Sequence, residues 1–309
     1  MYIVTGGAGF IGSNVVKFLT ENLNSRVCVV DKINNLNKKN LAKRKNIIVI
    51  HPEKLNNFLK NNEKIIDVVI HFGAITSTTE TNAKEIIKNN IELSLLLWHW
   101  CSKHKKRIIY ASSAATYGNG ENGFNDTNSL NKLCELKPLN LYGWSKHIID
   151  KYFIESSVNK IRPKQWIGLK FFNVYGPNEY HKGEMQSIIF KIFKKIESNK
   201  KVNLFKSHNK KYKDGEQLRD FIYVKDILKI IQWFIVNKKI NGIFNIGTGK
   251  ARTFNDLAQN VFKYTNKKKI IHFIDTPIKI RKKYQYFTEA NVCNLRRIGY
   301  SKEFYSLEE

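Results

Sequence analysis

Two tyrosines in this chain stand four residues before a lysine: Tyr142 before Lys146, and Tyr264 before Lys268. Residues four apart share a helix face. A phenol has an unperturbed pKa of about 10 and is a poor base at neutral pH, but a neighbouring ammonium favours its phenolate. Such a pair could pass a proton to or from a substrate hydroxyl. Spacing alone does not choose between them, because 14 tyrosines in a chain where 44 of 309 residues are lysine give about two matches by chance. Context does choose. "RIIYAS" (107–112) reads as a strand, and Ser112 and Ser113 close it ahead of Tyr142. The turn-like "KPLN" then leads into a helix whose Ile148, Ile149, Tyr152 and Phe153 supply a buried face. Ser113, at the C-terminal end of a strand, is placed to hydrogen-bond a reacting oxygen. Tyr264 lies in "YTNKKK", which reads as the frayed end of a helix.

A second group sits at the N-terminus. "YIVTGGAGFIGSNVV" is a strand, then Gly6, Gly9 and Gly12, then a helix, with Asp31 ending the next strand. Glycines at these positions let the backbone turn tightly and approach a pyrophosphate, and the helix N-terminus offers free N–H groups to it. No Gly-Lys-Ser/Thr follows, so this is a dinucleotide loop and not a nucleotide-hydrolase loop. Asp31 suits the ribose 2′-hydroxyl of NAD. Lys32 and Lys38 close behind it suit the 2′-phosphate of NADP.

These groups need a scaffold. "YIVT" (2–5), "RVCVVD" (26–31), "IIVI" (47–50), "DVVIH" (67–71), "RIIYAS" and "IGLKFF" (167–172) read as buried parallel strands with helical segments between them. That alternation predicts an α/β fold, a doubly wound parallel sheet. The rhythm breaks over 173–218, returns in "RDFIYVKDILKIIQWFIV" and "GIFNIGTG", and becomes irregular from about residue 251. The expected organisation is a dinucleotide-binding domain of 1–172 and 219–250, with a smaller discontinuous α/β substrate domain of 173–218 and 251–309.

The net charge of +27 invites a nucleic-acid reading. Composition argues against it. Lysine, asparagine and isoleucine make up 117 of the 309 residues, all with A/T-rich codons. Only 9 of the 53 basic residues are arginine, the residue preferred for bidentate contacts. A basic surface can still attract an anionic substrate. Cys28, Cys101, Cys134 and Cys293 match no disulfide or zinc spacing, so no metal is expected. "IELSLLLWHWC" is too short to span a bilayer, and no secretory signal precedes the first strand, so a cytoplasmic location is expected.

The serine–tyrosine–lysine set and the glycine loop resemble the extended short-chain dehydrogenase/reductase family, nearly end to end. Its dehydratases carry an Asp-Glu pair after the serine or threonine. Ala114 and Ala115 stand there, which leaves epimerases and reductases. "YASSAATYG" (110–118), "FFNVYGPNEYHKGEM" (171–185) and "YQYFTEANVCNLRRIGY" (284–300) are more specifically similar to the branch of bacterial ADP-L-glycero-D-manno-heptose 6-epimerases. That resemblance implies one tightly bound NADP per subunit, an ADP-heptose substrate epimerised at C6″ by transient oxidation, a role in lipopolysaccharide inner-core precursor synthesis, and a homopentamer. Lys182 would be a second catalytic lysine beside Ser113, Tyr142 and Lys146. Cofactor contacts would include Phe10, Ile11, Asp31, Lys32, Lys38, Lys54, Phe72, Gly73, Ala74, Ile75, Thr76, Asn89 and Val174. Substrate contacts would be Asn173, Glu184, Lys191, Phe205, Lys206, Ser207, His208, Arg219 and Tyr284. Arg219 would fork onto a diphosphate, the alternative being an ion pair with Asp220 or Asp226.

The chain also departs from that branch. Glu184 and Lys191 replace a serine and a histidine, Phe72 replaces an acid, "KSHNKKYKDGEQL" (206–218) is long and basic, and the sequence ends at Glu309, ahead of the branch's last helix. Two other readings stay open: a net NADP-dependent sugar-nucleotide reductase or 4-epimerase of the same family, and a non-catalytic binder of dinucleotide or nucleic acid.

Overall fold

The computed structural model describes residues 1–42, 44–281 and 284–309. Its strands are β1 (Tyr2–Thr5), β2 (Val27–Val30), β3 (Ile47–Ile50), β4 (Val68–His71), β5 (Arg107–Ser113), β6 (Gln165–Phe171), β7 (Asn173–Tyr175), β8 (Val202–Phe205), β9 (Leu218–Tyr223), β10 (Gly242–Ile246), β11 (Ala251–Thr253) and β12 (Ile271–Ile274). Seven of them form one parallel sheet in the order β10-β6-β5-β4-β1-β2-β3. Chain order reverses between β1 and β4, and a crevice opens beyond the C-terminal ends of those strands.

Alternate residues of each strand face opposite layers. Val4, Val29 and Ile70 pack on Val15, Val16 and Leu19 of the helix Phe10–Glu21 and on Ile227, Ile230 and Phe234 of the helix Val224–Val236. Ile3, Cys28 and Val69 face the other side, with Leu97 and Trp98 of the helix Leu93–Lys103 and Ile149 and Phe153 of the helix Leu141–Val158. Trp98 stacks on Phe153 with ring centroids 4.0 Å apart. Cover on both faces explains why the central strands read as unbroken apolar runs. β3 is the exception to the expectation of burial. It is the edge strand, and Ile48 and Val49 are 37% and 42% exposed.

A smaller region is built from β7, β9 and β11 in one sheet, β8 and β12 in another, and the helices Ile188–Glu197 and Phe254–Tyr264 around a separate apolar cluster. β9 runs parallel to β7 and antiparallel to β11, and does not enter the seven-stranded sheet. Its apolar run looks like those of the main sheet, which is why the sequence groups it with them. The segment from 251 is also more regular than its composition predicts. The helix Phe254–Tyr264 opens on a capping box between Thr253 and Asp256, but buries only Leu257, Ala258 and Phe262. The basic strip is a compact loop, closed by the Ser207 N–H on the Asp214 carboxylate (2.7 Å) and by Tyr212 stacked on Tyr286. Among the described residues no helix is long and apolar enough to cross a membrane.

Candidate active site

The crevice is a cavity of about 1220 Å³ between the main sheet and the smaller region. Its floor is the glycine loop. Gly6 has φ +66°, and a Cβ there would sit 2.7 Å from the Gly73 nitrogen. A Cβ on Gly12 would come within 2.1 Å of the Gly6 carbonyl. These positions tolerate only glycine because two backbone segments meet there. Gly9 caps the helix Phe10–Glu21 without any side chain bonding its first-turn N–H groups, and no acidic residue occupies that turn. The donors at Phe10, Ile11 and Gly12 face the cavity and suit a phosphate. A pyrophosphate fits this cradle.

Asp31 and Lys32 lie at the same end. The Asp31 carboxylate accepts the Ala8 N–H at 2.9 Å and the Lys32 N–H at 2.8 Å, so it is tied into the loop. Burial raises its pKa against those hydrogen bonds. Lys38 and Lys54 do not line the cavity. Lys38 Nζ donates to Asn35 at 3.0 Å, and Lys54 is exposed two residues beyond the lining Pro52. Phe72, Gly73, Ala74, Ile75 and Thr76 form one wall, with Phe72 edge-on to Phe171. Asn89 also lines the cavity, but its amide donates to Glu85.

Tyr142 and Lys146 lie on consecutive turns of the helix Leu141–Val158, capped by Asn140 on the Gly143 N–H. Ser113 ends β5 beside them. Its oxygen accepts the Ala115 N–H, which leaves its own hydrogen for the Tyr142 phenol. Burial raises the phenol's pKa and the Ser113 hydrogen bond pulls it back. Burial also lowers Lys146 to about 8, opposed by the Asp150 carboxylate one turn on. Lys146 has no hydrogen-bond partner among the described side chains, consistent with an ammonium kept for a bound molecule. Tyr264 ends its helix with 60% of its surface exposed, far in sequence and setting from any such group.

Lys182 enters from the short turn Tyr180–Met185, with its Nζ 5.2 Å from the centre of the Phe10 ring. Burial lowers its pKa, Glu179 opposes this and Lys191 adds to it. Asn173, Val174, Lys191, Phe205, Arg219 and Tyr284 complete the far wall. Arg219 is buried, and its guanidinium lies 5.4 Å from the Tyr284 ring and 5.6 Å from the Phe254 ring. Among the described residues it bonds the Leu218 and Gln285 carbonyls and no carboxylate. Asp220 is engaged by Thr248, Gly249 and Ala290, and Asp226 by Lys229 and the Tyr305 N–H, so neither takes the arginine's charge. Four of the substrate contacts carried over from the resemblance do not line the cavity. The Glu184 side chain is fully exposed and pairs with Lys191 at 3.3 Å. Lys206 pairs with Asp275 at 3.7 Å, and the Ser207 and His208 N–H groups bond Asp214 and the Tyr286 hydroxyl.

The sequence reading missed the groups beneath the site. His71 bridges the Thr5 hydroxyl (2.7 Å) and the Ser94 hydroxyl (2.8 Å), and Thr5 in turn accepts the Gly73 N–H. Burial and the nearby Lys146 hold His71 down to about 3, so it is neutral. Asn90, in a π-helical turn Ile87–Glu92, bonds both the N–H and the C=O of Ile75 and the Ser145 hydroxyl, and so ties the wall to the catalytic helix. Asp150 and Lys170 form an ion pair of 2.7 Å with neither side chain exposed. A signal for that pair existed, since a lysine inside the otherwise uncharged strand Gln165–Phe171 requires a partner.

Residues 2–247 match the NAD dependent epimerase/dehydratase family. The chain is 46% identical to an ADP-L-glycero-D-manno-heptose-6-epimerase of Fusobacterium nucleatum subsp. nucleatum, over 100% of this chain and 95% of the relative. It is 40% identical to the enzyme of the same name from Brachyspira hyodysenteriae, over 98% and 93%. The crystal structure of the Helicobacter pylori ADP-L-glycero-D-manno-heptose-6-epimerase superposes with a TM-score of 0.78 at 30% identity, covering 99% of this chain and 92% of that one. With the glycine cradle, the tyrosine–lysine helix and these full-length similarities in agreement, the chain belongs to the NAD dependent epimerase/dehydratase family.

Proposed function

We propose that this protein interconverts ADP-D-glycero- and ADP-L-glycero-D-manno-heptose at C6″, using an NADP that stays bound, and so supplies a precursor of the lipopolysaccharide inner core. The observation that carries the reading is the arrival of two candidate bases in one cavity from separate elements: Tyr142 from the helix packed on the main sheet, and Lys182 from the turn after β7. The names of the full-length relatives support the substrate. A nicotinamide held there supplies reversible hydride transfer at the carbinol carbon.

The chain's residues do the rest. Tyr142 takes the C6″ hydroxyl proton of one epimer, with Ser113 donating to the oxygen and the Lys146 ammonium favouring phenolate. Lys182, its pKa lowered by burial, does the same for the other epimer. Arg219, unpaired with any carboxylate, is suited to a diphosphate in fork geometry. Ala114 and Ala115 offer no acid or base for elimination. NADP is favoured over NAD because Asp31 is occupied by backbone N–H groups while Lys32 stands exposed at the cavity rim. The same reading assigns 1–172 with 219–250 to the dinucleotide and 173–218 with 251–309 to the ADP-sugar, except that β9 and its Arg219 stand with the ADP-sugar side.

The test is incubation of the purified protein with each ADP-heptose epimer, without added cofactor, followed by NMR. Conversion of both to one mixture supports the reading, and no conversion of either refutes it. Mass analysis of the extracted cofactor tests NADP separately, and NAD alone would overturn that assignment.

A further inference from the structure

Lys182 is joined to the glycine loop by a route that bypasses the main sheet. Residues 177–182 reach across to the first turns of the helix Phe10–Glu21. The Asn14 amide donates to the Pro177 carbonyl at 2.9 Å, and the Asn178 amide donates to the Ser13 hydroxyl at 3.1 Å. Asn40, buried in the short turn Lys38–Leu41, lies where both sides meet. Its amide nitrogen is 2.9 Å from the Ala8 carbonyl, 3.2 Å from the Asn178 carbonyl and 3.1 Å from His181 Nδ1. One buried side chain thus holds the glycine loop on one hand and the Asn178 carbonyl and His181 ring on the other.

The crossing segment is itself fixed. Asn178 has φ +75° and Gly183 φ +52°. Between them the buried Glu179 carboxylate accepts the N–H and hydroxyl of Ser187. His181 and Lys182 line the cavity together with Gly9, Phe10, Ile11 and Asp31, where the pyrophosphate and its adjoining ribose would lie. Burial and the neighbouring Lys182 lower the pKa of His181, while Asp31 opposes this.

We propose that residues 177–182 are a clasp over the dinucleotide, and that Asn40 and Asn178 are the positioning residues that keep it shut. The inference rests on the reading of a cofactor that is regenerated at every turnover. Such a cofactor has no need to leave, and a bridge over its phosphates slows its loss. Lys182 belongs to the bridge, so cofactor retention and placement of the second base are coupled in this fold.

The experiment reads release of NADP and not epimerisation. Loaded protein is diluted into an excess of a glucose-6-phosphate dehydrogenase system that reduces each NADP+ as it is freed, and absorbance in the reduced-nicotinamide band is followed. A net hydrogen bond is worth about a factor of five. Asn178→Gly suits the positive φ and removes one side-chain bond, so release should quicken about fivefold. Asn40→Ala removes up to three contacts, so release should quicken roughly 10- to 100-fold. Asn178→Gly should melt within a few degrees of wild type in saturating NADP, and Tyr264→Phe, exposed and away from the cavity, should release at the wild-type rate. Release by Asn40→Ala and Asn178→Gly within twofold of wild type overturns the clasp. So does a wild-type protein that loses its NADP during simple gel filtration. If Asn40→Ala does not fold, Asn178→Gly carries the test alone. The sugar substrate takes no part, so failure of the epimerase assignment would leave this result readable.

Discussion

Asp150→Asn is the substitution that separates the fold's needs from the site's. Asp150 and Lys170 are both without exposed surface and meet at 2.7 Å. The carboxylate also accepts the Tyr110 and Ser112 hydroxyls at 3.0 and 2.7 Å, and the ammonium also donates to Thr116 at 2.6 Å. Replacing such a pair with apolar groups is often neutral, but removing one partner strands the other charge and costs about 3–5 kcal/mol. Asp150→Asn leaves Lys170 in that position. At about 2–4 °C per kcal/mol for a chain of this class, the melting temperature should fall by roughly 6–20 °C. Asp150 also opposes the burial that holds Lys146 at about 8. Without it Lys146 loses its proton at lower pH, and the alkaline limb of the pH–rate profile should move down. The double substitution Asp150→Asn with Lys170→Met, which removes both charges and keeps an amide oxygen for the Tyr110 and Ser112 hydroxyls, should regain part of the stability and none of the pH profile. Scanning calorimetry and the pH dependence of kcat measure the two effects. A melting temperature for Asp150→Asn within a degree or two of wild type would refute the buried pair. An unmoved profile in the double variant would refute the link to Lys146.

Three further outcomes follow from the site. Tyr142→Phe should lose about 10²–10⁴-fold in rate while keeping its cofactor, and Tyr264→Phe, at an exposed helix end, should match wild type; equal behaviour would sink the argument from context. Lys182→Met should also impair epimerisation severely, and with an aldehyde analogue that can be oxidised or reduced, it and Tyr142→Phe should each lose mainly one half-reaction; near-normal epimerisation by Lys182→Met would favour a single base. His71, held near 3 in the fold against about 6.5 when unfolded, binds its proton more readily in the unfolded chain, so stability should fall as pH drops below 6.5 towards 3. By pH 5 the loss is about 2 kcal/mol, and His147, also lowered, adds to it. A His71→Gln protein with the same acid melting curve as wild type would count against this.

The sequence is most legible where one local pattern has one physical cause. The glycine loop is such a place, since Gly6 and Gly12 are excluded to any side chain by backbone contact. So is Tyr142 with Lys146, brought together by a single helix. Sheet membership is less legible. "IIVI" at 47–50 and "RDFIY" at 219–223 are apolar runs like the rest, yet the first is a half-exposed edge and the second belongs to another sheet. A run of apolar residues records burial and not the identity of its neighbour. The same limit hides His71, Asn90, Asn40 and the Asp150–Lys170 pair, whose roles come from hydrogen bonds to residues distant in sequence. Resemblance carried Lys206, Ser207 and His208 to the substrate, but in this chain the long basic loop takes the Ser207 and His208 N–H groups to Asp214 and Tyr286, and Lys206 pairs with Asp275.

The π-helical turn Ile87–Glu92 makes one wall of the site unusually sensitive to chain length. A π turn is an α turn carrying one surplus residue. Deleting a single residue N-terminal to Asn90 within it would leave a continuous α-helix, which is the easier backbone to form. Ile86 before it and Leu97 and Trp98 after it are all buried, and the helices on both sides of the turn pack on the helix Leu141–Val158, so the two halves would have to rotate about 100° relative to each other. If the half bearing Leu97 and Trp98 kept its packing, Ile86 would swing outward. If the first half kept its packing, Asn90 would leave Ile75 and Ser145. A one-codon deletion here is therefore a far harsher event than a substitution at an exposed position of the same turn, and descendants of this chain should vary at those exposed positions while keeping Asn90 and holding the length fixed.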